Sequence, residues 1–247
     1  MSGHSKWANI KHKKGKADAA RGAATTKIGR EITTAVRIGG ADPTGNMRLK
    51  LALQKAKANN IPKDNIQRAI QKGQGTLEGQ SYEEITYEGY GIAGVALLVQ
   101  AMTDNRNRTA AEMRHLFSKY GGNLGESGCV AWMFNKKGLI LIDKATGVAE
   151  DDLMAIVLEA GGDDLVSEDD SFEITCSPDA FEGLVNALEA AGIKWESAEI
   201  SMVPDTSISL SGEEATRLMK LVDALEEQDD VQAVYGNFDL PDEEDEE

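Results

Sequence analysis

Apolar residues recur at helical spacing early in the chain. Ile28, Ile32, Ala35 and Val36 make one stripe that runs out at Gly39-Gly40, the usual C-terminal stop of a helix. Asp42-Pro43, a cap residue followed by a first-turn proline, predicts the start of a second helix, whose stripe of Leu49, Ala52, Leu53 and Ala56 lasts until Asn59-Asn60. Ile61-Pro62 then opens a third, carrying Ile66, Ala69 and Ile70 before Gly73. The expectation is a small three-helix domain. Residues 1–20 lack this periodicity and are expected to be extended until a partner orders them, and 74–81 reads as a linker.

Beyond the linker the period changes. Segments 84–88 and 95–102 read as strands, 106–120 as a helix and 129–134 as another strand. Then 139–143, 151–160, 164–166, 172–176, 180–191 and 195–202 spell strand, helix, strand, strand, helix, strand, which is the ferredoxin-like βαββαβ order. A further strand, helix and strand at 207–210, 213–225 and 231–235 are too little to fold alone and would complete the earlier α/β segment. The predicted fold class is α+β and multidomain. It has a basic arm and three-helix domain over 1–75, a discontinuous α/β domain over 82–135 plus 204–240, a ferredoxin-like domain inserted at 136–203, and an acidic, disordered tail at 241–247.

Charge changes the picture most. The 247 residues carry a net charge of -16, yet residues 1–72 hold 16 Lys and Arg against four acids, a net of +12, so the remainder carries -28. Lys and Arg that neutralise phosphates release condensed counterions, so the basic segment predicts a nucleic-acid partner. Lys6, Lys11, His12, Lys13, Lys14 and Lys16 are the first candidate contacts, and Trp7 among them could stack on an unpaired base. Arg21, Lys27, Arg30 and Arg37 extend the charge along the first helix. No helix-turn-helix with a second helix bearing base-reading Arg, Asn or Gln stands out.

Other chemistries fare worse. Gly89-Tyr90-Gly91-Ile92-Ala93-Gly94 has the spacing of a dinucleotide fingerprint, but strand formers follow it where a helix would be required, so the glycines should shape a hairpin. Asp104 could cap the helix that follows it, and Arg106 and Arg108 in its first turn, where the helix dipole disfavours cations, suggest an anion or an interdomain partner. His4, His12 and His115 are scattered, so no triad or metal cluster emerges, and no enzyme activity, cofactor or metal is expected. Cys129 and Cys176 are far apart, which suits a reducing compartment; no signal peptide or membrane span is expected, and a cytoplasmic location is.

The opening GHSKWANIKHKKGKADAARG, the middle YEGYG with TDNRNRTAAEMRHLFSKYGGNLGESGCVAWMF, and the closing SAEISMVPD and LMKLVDALEEQDDVQAVYGNF closely resemble the YebC family over nearly the whole length. Members are described as probable transcriptional regulators and, in a mitochondrial branch, as a translational activator of a cytochrome oxidase subunit. The resemblance implies a basic helical domain and two α/β domains, one inserted in the other, around a central cavity. It also implies action on gene expression without a cofactor, either at promoter DNA or on ribosomes stalled at consecutive prolines. The expected partner is accordingly ribosomal RNA or promoter DNA, with the ribosome and tRNA as further candidates. Of the two, RNA suits better a Lys- and Gly-rich arm that orders on a folded polyanion.

Overall fold

The structure, a computed structural model, describes residues 21–79 and 81–240, with side chains from residue 24 onward. Contacts divide these residues into two compact units, Phe134–Asp205 and the rest.

The larger unit begins with α1 (Arg21–Gly39), α2 (Met47–Ala58) and α3 (Lys63–Gln74). Ile32, Ala35 and Val36 of α1 are buried with Leu49, Ala52, Ala56, Ile61 and Ala69, so the expected stripes do form one core. Two helix ends differ from expectation. The second helix starts after Asn46, because Asp42 folds back on Thr44, its Oδ1 accepting from the Thr44 N–H (2.9 Å) and hydroxyl (2.7 Å) in a local turn. Buried Asn46 does more than cap. Its Oδ1 accepts from the Leu49 N–H, and its Nδ2 donates to the carbonyls of Ala35 and Gly40, which ties the end of α1 to the start of α2. The third helix runs through Gly73 to Gly75, whose φ of 75° supplies the left-handed terminus. Gly73 instead lets two helices approach: a Cβ there would lie 2.6 Å from Val36 Cβ and 2.7 Å from the Thr33 carbonyl oxygen.

The α/β part of this unit is a sheet of order β3-β1-β2-β9, built from β1 (Glu83–Tyr90), β2 (Ala96–Thr103), β3 (Asn123–Leu124) and β9 (Val231–Gly236). Helices α4 (Arg106–Lys119) and α7 (Gly212–Glu226) bury Met113, Phe117, Leu218 and Leu221 against Leu97 and Val99 of β2. Short β8 (Ile208–Ser209) and β10 (Phe238–Asp239) pair in parallel. The expected hairpin at the glycine-rich Gly89–Gly94 segment is present, with β1 and β2 antiparallel and Tyr90 opposite Ala96. The strand expected at 129–134 is absent; the chain forms a loop and a single 3-10 turn, Ala131–Met133, before the next strand begins.

The second unit is β4 (Phe134–Asp143), α5 (Glu150–Glu159), β5 (Gly162–Ser167), β6 (Ser171–Cys176), α6 (Phe181–Ala190) and β7 (Ser197–Pro204). Its antiparallel sheet has the order β5-β6-β4-β7, which is the ferredoxin-like arrangement, around a core that includes Ile140, Leu153, Ile174 and Leu184.

Candidate nucleic-acid interface

The residues from Lys6 to Lys16 named above, Trp7 and His12 among them, lie outside the described residues, as does the side chain of Arg21. The remaining cations of α1 fall at positions 27, 30 and 37, which with Thr34 form one helical stripe. Lys27, Arg30 and Thr34 of that stripe face the α/β part of the unit, and Arg37 at its end is exposed. Lys27 Nζ donates to the Glu226 carbonyl, Thr34 Oγ1 to Met102 Sδ, and Arg37 to Ser81 Oγ at 2.8 Å. Arg30 reaches deepest. Its Nη1 donates to the carbonyls of Met102 (3.0 Å) and Asp229 (2.9 Å) and to Asp230 Oδ1 (2.5 Å), while its guanidinium stacks 5.1 Å from the Tyr82 ring centre.

Asp230 is the hub of this contact. Its side chain is 4% exposed, and Oδ2 accepts from Thr103 (3.1 Å), Thr109 (2.6 Å) and Arg108 Nη2 (2.8 Å). Burial by itself would raise its pKa, but the hydrogen bonds from Thr109, Arg108 and Arg30 outweigh that and hold it down at about 2. Arg108 also pairs with Asp104 at 2.9 Å, and the helix is capped by Asn105, not by Asp104. The anion sought for Arg108 is therefore the protein's own carboxylate, shared with a cation from the helical domain. Arg106 stays exposed on the same turn. A second bridge runs alongside: Arg48 of α2 holds Glu31 of α1 by two hydrogen bonds, Nε to Oε1 at 2.6 Å and Nη2 to Oε2 at 3.1 Å, and also contacts Glu84 of β1.

Because α1 turns Lys27 and Arg30 inward, the described positive surface of the helical domain lies mainly on α2 and α3, with Arg37 exposed at the end of α1. Lys55, Lys57, Lys63 and Arg68 are exposed there, around a four-residue turn at 59–62. Asn65 and Gln67 are exposed beside them. Sequence reasoning passed over this end of the domain, although Arg, Asn and Gln on an exposed helix after a short turn are the side chains that can read base edges. No group of three or more His, Cys, Asp or Glu side chains placed to hold a metal occurs among the described residues, and no described helix is long and apolar enough to cross a membrane.

The chain resembles known proteins over nearly its whole length. Residues 5–76 match the model of the TACO1/YebC protein N-terminal domain, and residues 82–238 match that of the TACO1/YebC second and third domain. A probable transcriptional regulatory protein of Pelotomaculum thermopropionicum is 56% identical over 98% of this chain and 100% of its own. One of the same description from Geobacter sulfurreducens is 57% identical over 99% of this chain and 98% of its own. Among solved structures, that of a conserved hypothetical protein from Aquifex aeolicus superposes with a TM-score of 0.83 at 43% identity, covering 94% of this chain and 96% of that one. The chain belongs to the TACO1/YebC family.

Proposed function

We propose that the protein is a non-enzymatic regulator of gene expression of the YebC type that acts in the cytoplasm. Its N-terminal domain binds folded ribosomal RNA, so that it works on translating ribosomes and relieves stalls such as those at consecutive prolines. The observation that carries this reading is the segregation of charge: +12 in residues 1–72 against -28 in the remainder. The clamp at Asp230 fixes α1 against the acidic body, so exposed Lys57, Lys63 and Arg68, together with the cations of the arm, are the groups that would meet a polyanion. Phosphate contact is accordingly assigned to the arm and to Lys57, Lys63 and Arg68, and not to Lys27 or Arg30.

A second reading, binding of promoter DNA, draws on the names of the relatives and on exposed Asn65, Gln67 and Arg68 of α3. Competition at near-physiological salt separates the two. Displacement of labelled duplex DNA by a ribosomal RNA fragment, with no preference for promoter over random duplex, supports the translational reading. Strong preference for promoter duplex over both RNA and random duplex replaces it with the transcriptional one.

A further inference from the structure

We propose that Trp132 and Tyr90 form a stacking platform for an unpaired base of the nucleic acid that the protein binds; this rests on the nucleic-acid reading above. Trp132 is 71% exposed and Tyr90 37%, and both are large rings that the fold leaves in solvent. The indole N–H of Trp132 and the hydroxyl of Tyr90 both donate to one acceptor, the Cys129 carbonyl oxygen, each at 3.1 Å. Two donors converging on one oxygen bring the polar edges of the two rings together and engage both donor hydrogens. What the pair chiefly offers a partner is π surface.

The mounting is rigid. Glu88 of β1, buried in the sheet, accepts hydrogen bonds from the backbone N–H groups of Gly128 (2.7 Å), Val130 (2.8 Å) and Ala131 (2.8 Å), and Val130 is fully buried. The loop that carries Trp132 is thus fixed from beneath by a charged acceptor, so an incoming group meets rings whose rotamers are already selected and little conformational entropy is lost on binding.

A preset aromatic pair that leaves its rings in solvent matches the chemistry of an unpaired base, which every nucleotide offers as a flat π face.

The test uses the full chain and fluorescence anisotropy with a labelled single-stranded RNA of about 12 nucleotides, a length within the span of known single-strand sites. A second probe is the same backbone with its bases removed. Trp132→Ala should weaken binding of the base-bearing RNA about tenfold, the scale of one missing stack, whereas Trp132→Phe should stay within about threefold of the parent. The abasic probe should bind the parent and both variants alike, and the salt dependence should not change, since no cation is removed. An unchanged urea midpoint for Trp132→Ala shows that the fold is intact. The proposal is overturned if Trp132→Ala binds the base-bearing RNA as the parent does. In that case nucleic-acid binding survives and the platform passes to a protein partner. If the parent itself binds neither probe, the nucleic-acid reading falls, and the platform with it.

Discussion

Replacing Asp230 with Asn removes one charge and almost no volume from the hub where the helical domain meets the sheet. The carboxylate is held near pKa 2 against an ordinary 3.8. At about 1.4 kcal/mol per unit, that depression corresponds to about 2–3 kcal/mol of folding stability at neutral pH. The buried side chain needs little discount for solvent screening, but Arg108 is 44% exposed and recovers some hydration when its partner loses charge. Arg30, at 14%, does not. The expected loss for Asp230→Asn is therefore about 2–3 kcal/mol at pH 7. A depressed carboxylate stabilises the fold above its unfolded pKa, and that contribution is lost as pH falls through the folded value. The difference between parent and variant should thus be full at pH 5, about half as large near pH 3, and gone below about pH 2. Urea unfolding followed by circular dichroism at several pH values measures this. A loss under about 0.5 kcal/mol at pH 7, or a difference that does not shrink in acid, would refute the assignment of Asp230 as a clamp.

Glu88→Gln removes the charge that grips three N–H groups, and amide exchange at Val130 and Ala131 should speed up about tenfold or more, with global stability down by about 1–3 kcal/mol. Burial acts to raise the Glu88 pKa and those three hydrogen bonds lower it further than burial raises it, so its contribution should be present above the ordinary glutamate range and fade in acid. Gly73→Ala in a solvated helix would stabilise by up to about 1 kcal/mol. Here the new Cβ meets the Thr33 carbonyl and Val36, so thermal unfolding should instead show a loss of about 1–3 kcal/mol. Lys57→Glu, Lys63→Glu and Arg68→Glu together should leave the unfolding midpoint nearly unchanged. They should also flatten the plot of log affinity against log salt by about 0.7 to 0.9 for each phosphate that is no longer neutralised, and an unchanged slope would remove α2 and α3 from the interface.

Elements with one unbroken apolar period were legible in the sequence: the stripe of α1, the strands and helices of the ferredoxin-like unit, and α7. What escaped reading depended on partners distant in the chain. Strand β4 begins at Phe134, five residues before its apolar run, because Asn135, Lys136 and Lys137 are polar and are drawn into the sheet by pairing with Met202 and its neighbours on β7. The segment 129–134 reads as a strand by composition, yet a carboxylate some 40 residues earlier in the chain holds 129–133 as a loop and a 3-10 turn. Asn46 was hidden behind the more familiar Asp-Pro start signal, and the Asp42 side chain was already spent on Thr44. The candidate site divides in the same way. Charge density marked the basic domain, but not which cations point inward. That choice is made by Asp230, which in the sequence is one acid in the run EEQDD and in the fold gathers Arg30, Thr103, Arg108 and Thr109.

The central claim is that the basic N-terminal segment anchors an otherwise acidic protein to RNA on the ribosome. Sedimentation of cell lysate through a sucrose gradient at near-physiological salt, comparing the intact chain with one lacking residues 1–20, tests it most directly. The account predicts that the intact protein travels with ribosomes while the truncated one stays at the top, and that raising the salt strips the intact protein off. Intact protein that remains at the top, while shifting promoter DNA in preference to random DNA, would contradict it.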